Sequence, residues 1–119
     1  MVLVVDDDVT IAAELRGELS EYRVNIESVT DAPAAVAALD ASPFCGLILD
    51  LVLENGSGFD VLDHIARNKL QVPIVVLTGK LPAYVREMLN AEHVKLVIPK
   101  PVEPRLLATI VLGLCGIST

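Results

Sequence analysis

The residues that could do chemistry in this chain are acidic: Asp6, Asp7 and Asp8 follow one short apolar run, and Asp50 follows another. Carboxylates packed together repel one another unless a hard divalent cation lies between them. Mg²⁺ prefers oxygen ligands and usually takes one or two carboxylates together with water and phosphate oxygens. A carboxylate can also attack phosphorus and form an aspartyl-phosphate. These residue types therefore predict metal-assisted phosphoryl transfer to an aspartate.

Two polar residues farther along the chain supply what else such a transfer needs. Thr78 follows the apolar run 73–77, and Lys100 follows the run 95–98. A threonine hydroxyl can donate a hydrogen bond to a phosphoryl oxygen, and a lysine ammonium provides a compact positive charge. Each residue alone has an ordinary interpretation, such as a helix cap, a turn or a surface lysine. Their occurrence together, after four different apolar runs, favours the chemical interpretation.

Short apolar runs alternate with helical patterns along the chain. The predicted strands are 2–5, 23–27, 46–49, 73–77 and 95–98. The predicted helices are 10–20, 32–41, 59–68, 81–91 and 103–114. Strands that are mostly apolar on both faces, each followed by a helix, are typical of a parallel sheet covered on both sides. We therefore predict an α/β fold, a flavodoxin-like doubly wound (βα)5 sandwich whose five-stranded parallel sheet has the order 2-1-3-4-5.

This topology predicts that the polar residues meet at one place. Ligand sites in such sheets lie at the carboxyl ends of the strands, where Asp6, Asp50, Thr78 and Lys100 all fall. Pro99 agrees with the predicted order, because proline lacks the N–H that a central strand needs and the fifth strand is an edge.

Length, charge and cysteine spacing narrow the function further. The 119 residues suffice for one compact domain, so residues 1–119 are assigned to a single domain. The net charge of −7 argues against a nucleic-acid surface, which needs clustered Lys and Arg. Cys45 and Cys115 lie far apart in no metal-ligand spacing, so we expect buried structural thiols, with neither a disulfide framework nor a zinc site. Without a signal peptide or a membrane-spanning apolar stretch, the chain is expected to be soluble and cytoplasmic.

With these motifs in this order, the chain resembles the response regulator receiver family of two-component systems, the CheY-like domains. The resemblance covers essentially the whole chain. The matching segments are the acidic opening at 4–8, the phosphoacceptor strand at 47–50, the loop glycine Gly58, the hydroxyl strand at 75–79 and the Lys-Pro signature at 99–101. The resemblance implies a phosphoacceptor in a phosphorelay, a switch that phosphorylates and dephosphorylates itself rather than a turnover enzyme.

The resemblance also implies a metal site. Asp6 and Asp7 are the implied metal-binding acids, with Asp7 the more direct ligand. Asp50 is implied to be both the nucleophile and a ligand of Mg²⁺ (or Mn²⁺). The backbone carbonyl of Val52 completes the protein's implied share of the coordination.

The remaining implied roles concern the phosphoryl group and its donor. Thr78 is the switch hydroxyl, and Lys100 pairs first with Asp50 and then with the phosphate, with a cis Lys100–Pro101 bond. The donor is a phosphohistidine on a sensor histidine kinase or a histidine phosphotransfer domain. The apolar last helix, 103–114, either packs wholly on the sheet or leaves a face for a homodimer or a parent protein.

Two residues depart from the family pattern. Val97 stands where the family usually has an aromatic ring that turns inward when the threonine moves, and a stiff, small valine cannot provide that readout. Glu54 stands where a proline is frequent. We expect Glu54 to weaken the docking of acidic partners or to retune metal affinity.

Three other functions compete with a phosphoacceptor. A pseudo-receiver would use the same fold to bind proteins without phosphorylation. Val97 and Glu54 favour it, whereas the intact acids, Thr78 and Lys100 count against it. A flavodoxin-type redox protein needs a Ser/Thr/Gly-rich loop after the first strand, where residues 6–8 would instead repel a flavin phosphate. A haloacid-dehalogenase-type phosphatase needs a second aspartate two positions after the nucleophile, where Val52 stands. The fold alone decides none of these.

Overall fold

Within residues 1–79 and 94–117, which the computed structural model describes, the chain forms five strands and four helices. The strands are β1 (Val2–Val5), β2 (Ile26–Val29), β3 (Gly46–Asp50), β4 (Ile74–Thr78) and β5 (Val94–Pro99). The helices are α1 (Thr10–Glu18), α2 (Ala32–Ala41), α3 (Gly58–Arg67) and α4 (Pro104–Leu114). The predicted helix at 81–91 lies outside the described residues.

All five strands run parallel in one sheet of order β2-β1-β3-β4-β5, which confirms the predicted fold class and strand order. Strands β1, β3 and β4 are buried along their whole lengths. Strands β2 and β5 form the edges and are partly exposed. Pro99 lies opposite Thr78 on the edge strand β5, where a missing N–H is tolerated.

Side chains of the central strands alternate between the two faces of the sheet and fill two cores. Leu47 and Val76 face the core that α2 and α3 cover. Ile48 and Val75 face the core that α1 and α4 cover. Because successive residues of a strand point to opposite faces, a strand covered on both sides must be apolar throughout. This is why continuous apolar runs identified the central strands.

Strand β2 begins three residues later than the alternating pattern at 23–27 predicted. Its ladder with β1 starts where Val2 lies opposite Ile26, and the Val2 N–H donates to the Asn25 carbonyl at 2.8 Å. Val24 instead packs from the preceding loop against the core beneath α1 and α4. The strand is therefore defined by its pairing with β1 and not by the alternation that precedes it.

Helix α2 begins as predicted after Asp31, whose side chain accepts a hydrogen bond from the Ala34 N–H at 2.8 Å. Helix α3 begins with a capping box that the sequence analysis did not identify. The Ser57 N–H donates to the Asp60 carboxylate at 2.9 Å, and the Ser57 side chain accepts from the Asp60 backbone in return. Both caps satisfy N–H groups that have no partner within their helix. None of the described helices is long and apolar enough to cross a membrane.

Cys45 and Cys115 form a disulfide, so the expectation of unpaired buried thiols is wrong. Their Cα atoms are 4.9 Å apart, although 70 residues separate them in the sequence. Cys45 directly precedes β3, and Cys115 is the C-cap of α4. The physical reason for the error is that the pairing depends on where α4 ends against the sheet, which the spacing along the chain does not reveal.

Candidate metal centre

The carboxyl ends of the strands bring three acids together. Asp6 follows β1, Asp7 is the next residue, and Asp50 is the last residue of β3. One ligand oxygen from each of these three carboxylates lies within 4.8 Å of the others. Asp6 and Asp50 are buried and Asp7 is exposed. The convergence expected from the topology is therefore present, with one acid open to solvent.

Lys100 supplies the positive charge beside these acids. Its Nζ lies 2.9 Å from Asp50 Oδ2, to which it donates a hydrogen bond, and 2.7 Å from Asp6 Oδ2. The Lys100 backbone N–H donates to the Thr78 carbonyl at 2.7 Å, which fixes the residue at the end of β4. The Lys100–Pro101 peptide bond is cis, as the resemblance implied.

The Asp50 carboxylate is held at both of its oxygens. Oδ2 accepts from the Lys100 ammonium, and Oδ1 accepts from the Val52 N–H at 3.0 Å. Val52 forms an isolated antiparallel bridge with Ser57, which closes the loop that follows β3. The family resemblance implied only a carbonyl role for Val52, and the sequence contains no signal for this N–H contact.

Asp6 is the acid whose burial has the largest consequence. Its Oδ1 accepts from the Asp8 N–H at 2.9 Å. Its buried Oδ2 lies beside Lys100, but among the described residues it accepts no hydrogen bond of acceptable geometry. Loss of solvation on burial raises the pKa of Asp6, and the neighbouring Lys100 only partly opposes that rise. A buried carboxylate oxygen that has an ion pair but no well-directed hydrogen bond fits a divalent cation as a further partner.

Two opposing effects act on the pKa of Lys100. Burial disfavours its charged form and would lower its pKa, but the hydrogen bond to Asp50 and the close negative charges of Asp50 and Asp6 are stronger together, so the pKa of Lys100 is raised. The side chain therefore stays protonated at neutral pH. It is a permanent cation between two acids.

Asp8 does not belong to the converging carboxylates, unlike the two acids that precede it. Its exposed carboxylate accepts from the Thr10 N–H at 3.0 Å and from the Thr10 hydroxyl at 2.6 Å, at the start of α1. These hydrogen bonds lower the pKa of Asp8. Asp8 therefore has a local role, holding the turn before α1 through Thr10, whereas Asp6 and Asp7 face Asp50.

Thr78 and Gly58 complete the surroundings of Asp50. Thr78 is buried at the end of β4, next to the strand that carries Asp50. A Cβ atom on Gly58 would lie 2.5 Å from the Asp50 carbonyl oxygen and 2.7 Å from Leu51 Cα. Such distances are too short for any side chain against backbone, so a glycine is needed where α3 meets β3.

The two departures from the family pattern lie at the margin of this site. Glu54 is exposed in the loop after β3, and it does not belong to the group of three converging carboxylates. Val97 lies opposite Val76 on β5 and is partly buried against the core beneath α2 and α3. The position therefore contains a small packed side chain with no ring to rotate.

The sequence was compared with models of known protein families and with curated proteins. A family model described as the response regulator receiver domain matches residues 2–112. The transcriptional regulatory protein TcrA of Mycobacterium tuberculosis is 32% identical over 79 residues, covering 66% of this chain and 31% of TcrA. The chain therefore spans about a third of the length of that relative.

Solved structures agree with the family match. A signal receiver domain from Vibrio parahaemolyticus has a TM-score of 0.87 at 25% identity, covering 97% of this chain and 88% of that chain. The receiver domain of the sensor histidine kinase PA1611 from Pseudomonas aeruginosa has a TM-score of 0.79 at 23% identity, covering 97% of this chain and 96% of that chain. The PA1611 structure contains a magnesium ion coordinated in its active site cleft.

Proposed function

Since this chain belongs to the response regulator receiver domain family of two-component signal transduction, we propose that Asp50 accepts a phosphoryl group from a phosphohistidine. The observation that carries this proposal is the state of the Asp50 carboxylate. It is buried beside two other acids, with one oxygen bonded to Lys100 and the other to the Val52 N–H. A carboxylate held at both oxygens is oriented before the donor arrives, which favours nucleophilic attack.

The proposed metal ion is Mg²⁺, which Mn²⁺ can replace on the same oxygen ligands. The proposed protein ligands are the carboxylates of Asp6, Asp7 and Asp50 and the backbone carbonyl of Val52. Support comes from the converging carboxylates, from the Asp6 oxygen that lacks a hydrogen bond, and from the magnesium ion in the PA1611 structure. When bound, such an ion neutralises negative charge on the transferred phosphoryl group.

In the proposed transfer, a carboxylate oxygen of Asp50 attacks phosphorus while the bond from phosphorus to the donor imidazole breaks. The Lys100 ammonium, shared between Asp50 and Asp6 beforehand, then donates to a phosphoryl oxygen. Thr78 is the proposed switch hydroxyl, because it lies buried at the end of the neighbouring strand β4. Its movement toward the phosphoryl group would pass the signal to β4 and β5.

The proposed donors are a sensor histidine kinase or a histidine phosphotransfer domain. We propose that residues 1–119 act as one receiver unit in the cytoplasm, without direct nucleic-acid binding because the net charge is −7. A homodimer through α4 is a separate proposal. The inner face of α4 is buried in the core, and Leu106, which is 51% exposed, is the large apolar side chain that α4 offers to a partner.

Incubation with acetyl phosphate and Mg²⁺ tests the proposed phosphoacceptor. We expect mass spectrometry to record the addition of one phosphoryl group, which Asp50→Asn and chelation of Mg²⁺ both abolish. Asp8→Asn is the matched control, since Asp8 is exposed and an asparagine side chain can still accept the hydrogen bond from the Thr10 N–H. If neither acetyl phosphate nor beryllofluoride modifies the folded wild-type chain, the pseudo-receiver is the better description.

A further inference from the structure

The Cys45–Cys115 disulfide joins two parts of the fold that are distant in sequence and remote from the acidic centre. Cys45 precedes the first residue of β3, whereas Asp50 is the last residue of that strand. At about 3.3 Å per residue, the bridge lies roughly 16 Å from Asp50 along the strand.

The bridge holds the last turn of α4 in place. Cys115 is the C-cap, and Gly116 follows with a positive φ of 68°. The Gly116 N–H donates to the Gly113 carbonyl at 3.2 Å and the Ile117 N–H to the Leu112 carbonyl at 2.9 Å, the pattern of a Schellman motif. The helix end is therefore defined by local hydrogen bonds, and the disulfide adds a covalent tie to the sheet.

Packing at this end of the sheet is close. A Cβ atom on Gly46 would lie 3.1 Å from Leu114 Cδ1, so the last turn of α4 lies directly against the start of β3. Both sulfur-bearing side chains nevertheless remain partly exposed. A small reactant in solution can therefore reach the bridge without unfolding of the two cores.

We propose that Cys45 and Cys115 form a thiol–disulfide exchange site whose reactants are low-molecular-weight thiols and their disulfides. In the reducing direction, an external thiolate attacks one sulfur, the S–S bond breaks, and the departing cysteine thiolate takes a proton from water. A second external thiolate then attacks the mixed disulfide and releases the second cysteine as a thiol. The protein gains two electrons and two protons, and the two external thiols leave as one disulfide.

Thiol–disulfide exchange would break the covalent link between the end of α4 and the start of β3. The bridge closes a loop of 70 residues, a length at which cross-linking restricts the unfolded chain strongly. In the cytoplasm, where we place the chain, disulfides are uncommon and those that form are usually redox-active. Reduction should loosen the last turn of α4 and leave the acidic centre unchanged.

Equilibration of the full chain with glutathione and glutathione disulfide at a series of ratios tests this proposal. Trapping with an alkylating agent and mass spectrometry should show one transition in which both cysteines change together. Hydrogen exchange at residues 112–117 should be roughly tenfold faster in the reduced chain. The reduced chain should also melt roughly 10 °C lower, while Mg²⁺ affinity stays the same.

The double variant Cys45→Ser/Cys115→Ser should behave as the reduced chain does at every glutathione ratio. The exchange proposal is overturned if the thiols stay reduced in excess glutathione disulfide, or if excess glutathione never opens the bridge in the folded chain. Equal hydrogen exchange at residues 112–117 in the two redox states would overturn the proposed tie on α4. None of these outcomes depends on whether Asp50 is phosphorylated.

Discussion

Lys100 directly follows β5 and Asp50 ends β3, two strands that are not neighbours in the sheet, yet the Lys100 ammonium reaches the Asp50 carboxylate at 2.9 Å. Strand β4 lies between them, and the Lys100 backbone N–H bonds to the Thr78 carbonyl at the end of that strand. The same ammonium lies 2.7 Å from Asp6. One side chain thereby links the carboxyl ends of β1, β3 and β5.

Replacing Lys100 with methionine should destabilise the metal-free protein, because Asp6 and Asp50 would stay buried without their counter-charge. Breaking a fully buried pair costs about 3–5 kcal/mol, and the partial exposure of Lys100 reduces our expectation to about 1–3 kcal/mol. Saturating Mg²⁺ should recover much of that loss. Urea unfolding with and without Mg²⁺ measures both effects. Lys95→Met, on the exposed side of β5, is the control and should change stability by less than about 0.5 kcal/mol.

The raised pKa of Asp6 predicts how the stability of the metal-free protein depends on pH. The folded state holds this proton more tightly than the unfolded chain does, so the contribution of Asp6 to stability is present at low pH. That contribution is lost as the pH rises from the ordinary aspartate range through the folded pKa. Asp6→Asn should remove this part of the pH dependence, as unfolding measured in a chelator between pH 4 and 7 would reveal. Identical pH profiles for the two proteins would contradict the assignment.

Gly58→Ala should destabilise the fold by about 1–3 kcal/mol, since the new methyl group would overlap the backbone at Asp50 and Leu51. The displaced backbone also bears the Asp50 carboxylate, so Mg²⁺ affinity should fall in the same variant. Gly17→Ala provides the contrast. A Cβ atom on Gly17 meets nothing within 4 Å, and alanine in that exposed helical position should add about 0.5–1 kcal/mol of stability. Thermal unfolding measures both variants. A loss of stability in Gly58→Ala but not in Gly17→Ala would assign the effect to steric overlap and not to glycine replacement in general.

Glu54 and Asp7 are both exposed acids, but only Asp7 belongs to the converging carboxylates. Asp7→Asn should therefore weaken Mg²⁺ binding by about tenfold or more, because it neutralises a proposed direct ligand. Glu54→Pro should change Mg²⁺ affinity by less than about threefold, because an exposed charge in the loop is screened by solvent. Isothermal titration gives both values. A large effect of Glu54→Pro would support its role in metal affinity over its role in partner docking.

Strands that are buried on both faces could be predicted from the sequence more accurately than the partly exposed edge strand β2. The strands β1, β3 and β4 are covered on both faces, so continuous apolar runs identified them and, through them, the positions of Asp50 and Thr78. Edge strand β2 carried a weaker pattern, and its start at Ile26 is defined by pairing with β1.

Other features depend on tertiary arrangement and could not be predicted. The Cys45–Cys115 pairing requires the path of α4 across the sheet, which no local pattern contains. In the acidic run, Asp8 bonds to Thr10 whereas Asp6 faces Asp50, and this division depends on the backbone direction after β1. The contact of the Val52 N–H with Asp50 likewise follows from the shape of the loop.

The sharing of Lys100 between two acids has a consequence for which ions can stabilise the rim of the sheet. Three carboxyl groups face one ammonium there, and full ionisation of all three would leave an excess of two negative charges. A single doubly charged ion cancels that excess, whereas one sodium or potassium ion leaves half of it in place. Raising the concentration of a monovalent salt should therefore not reproduce the stabilisation that we expect from magnesium.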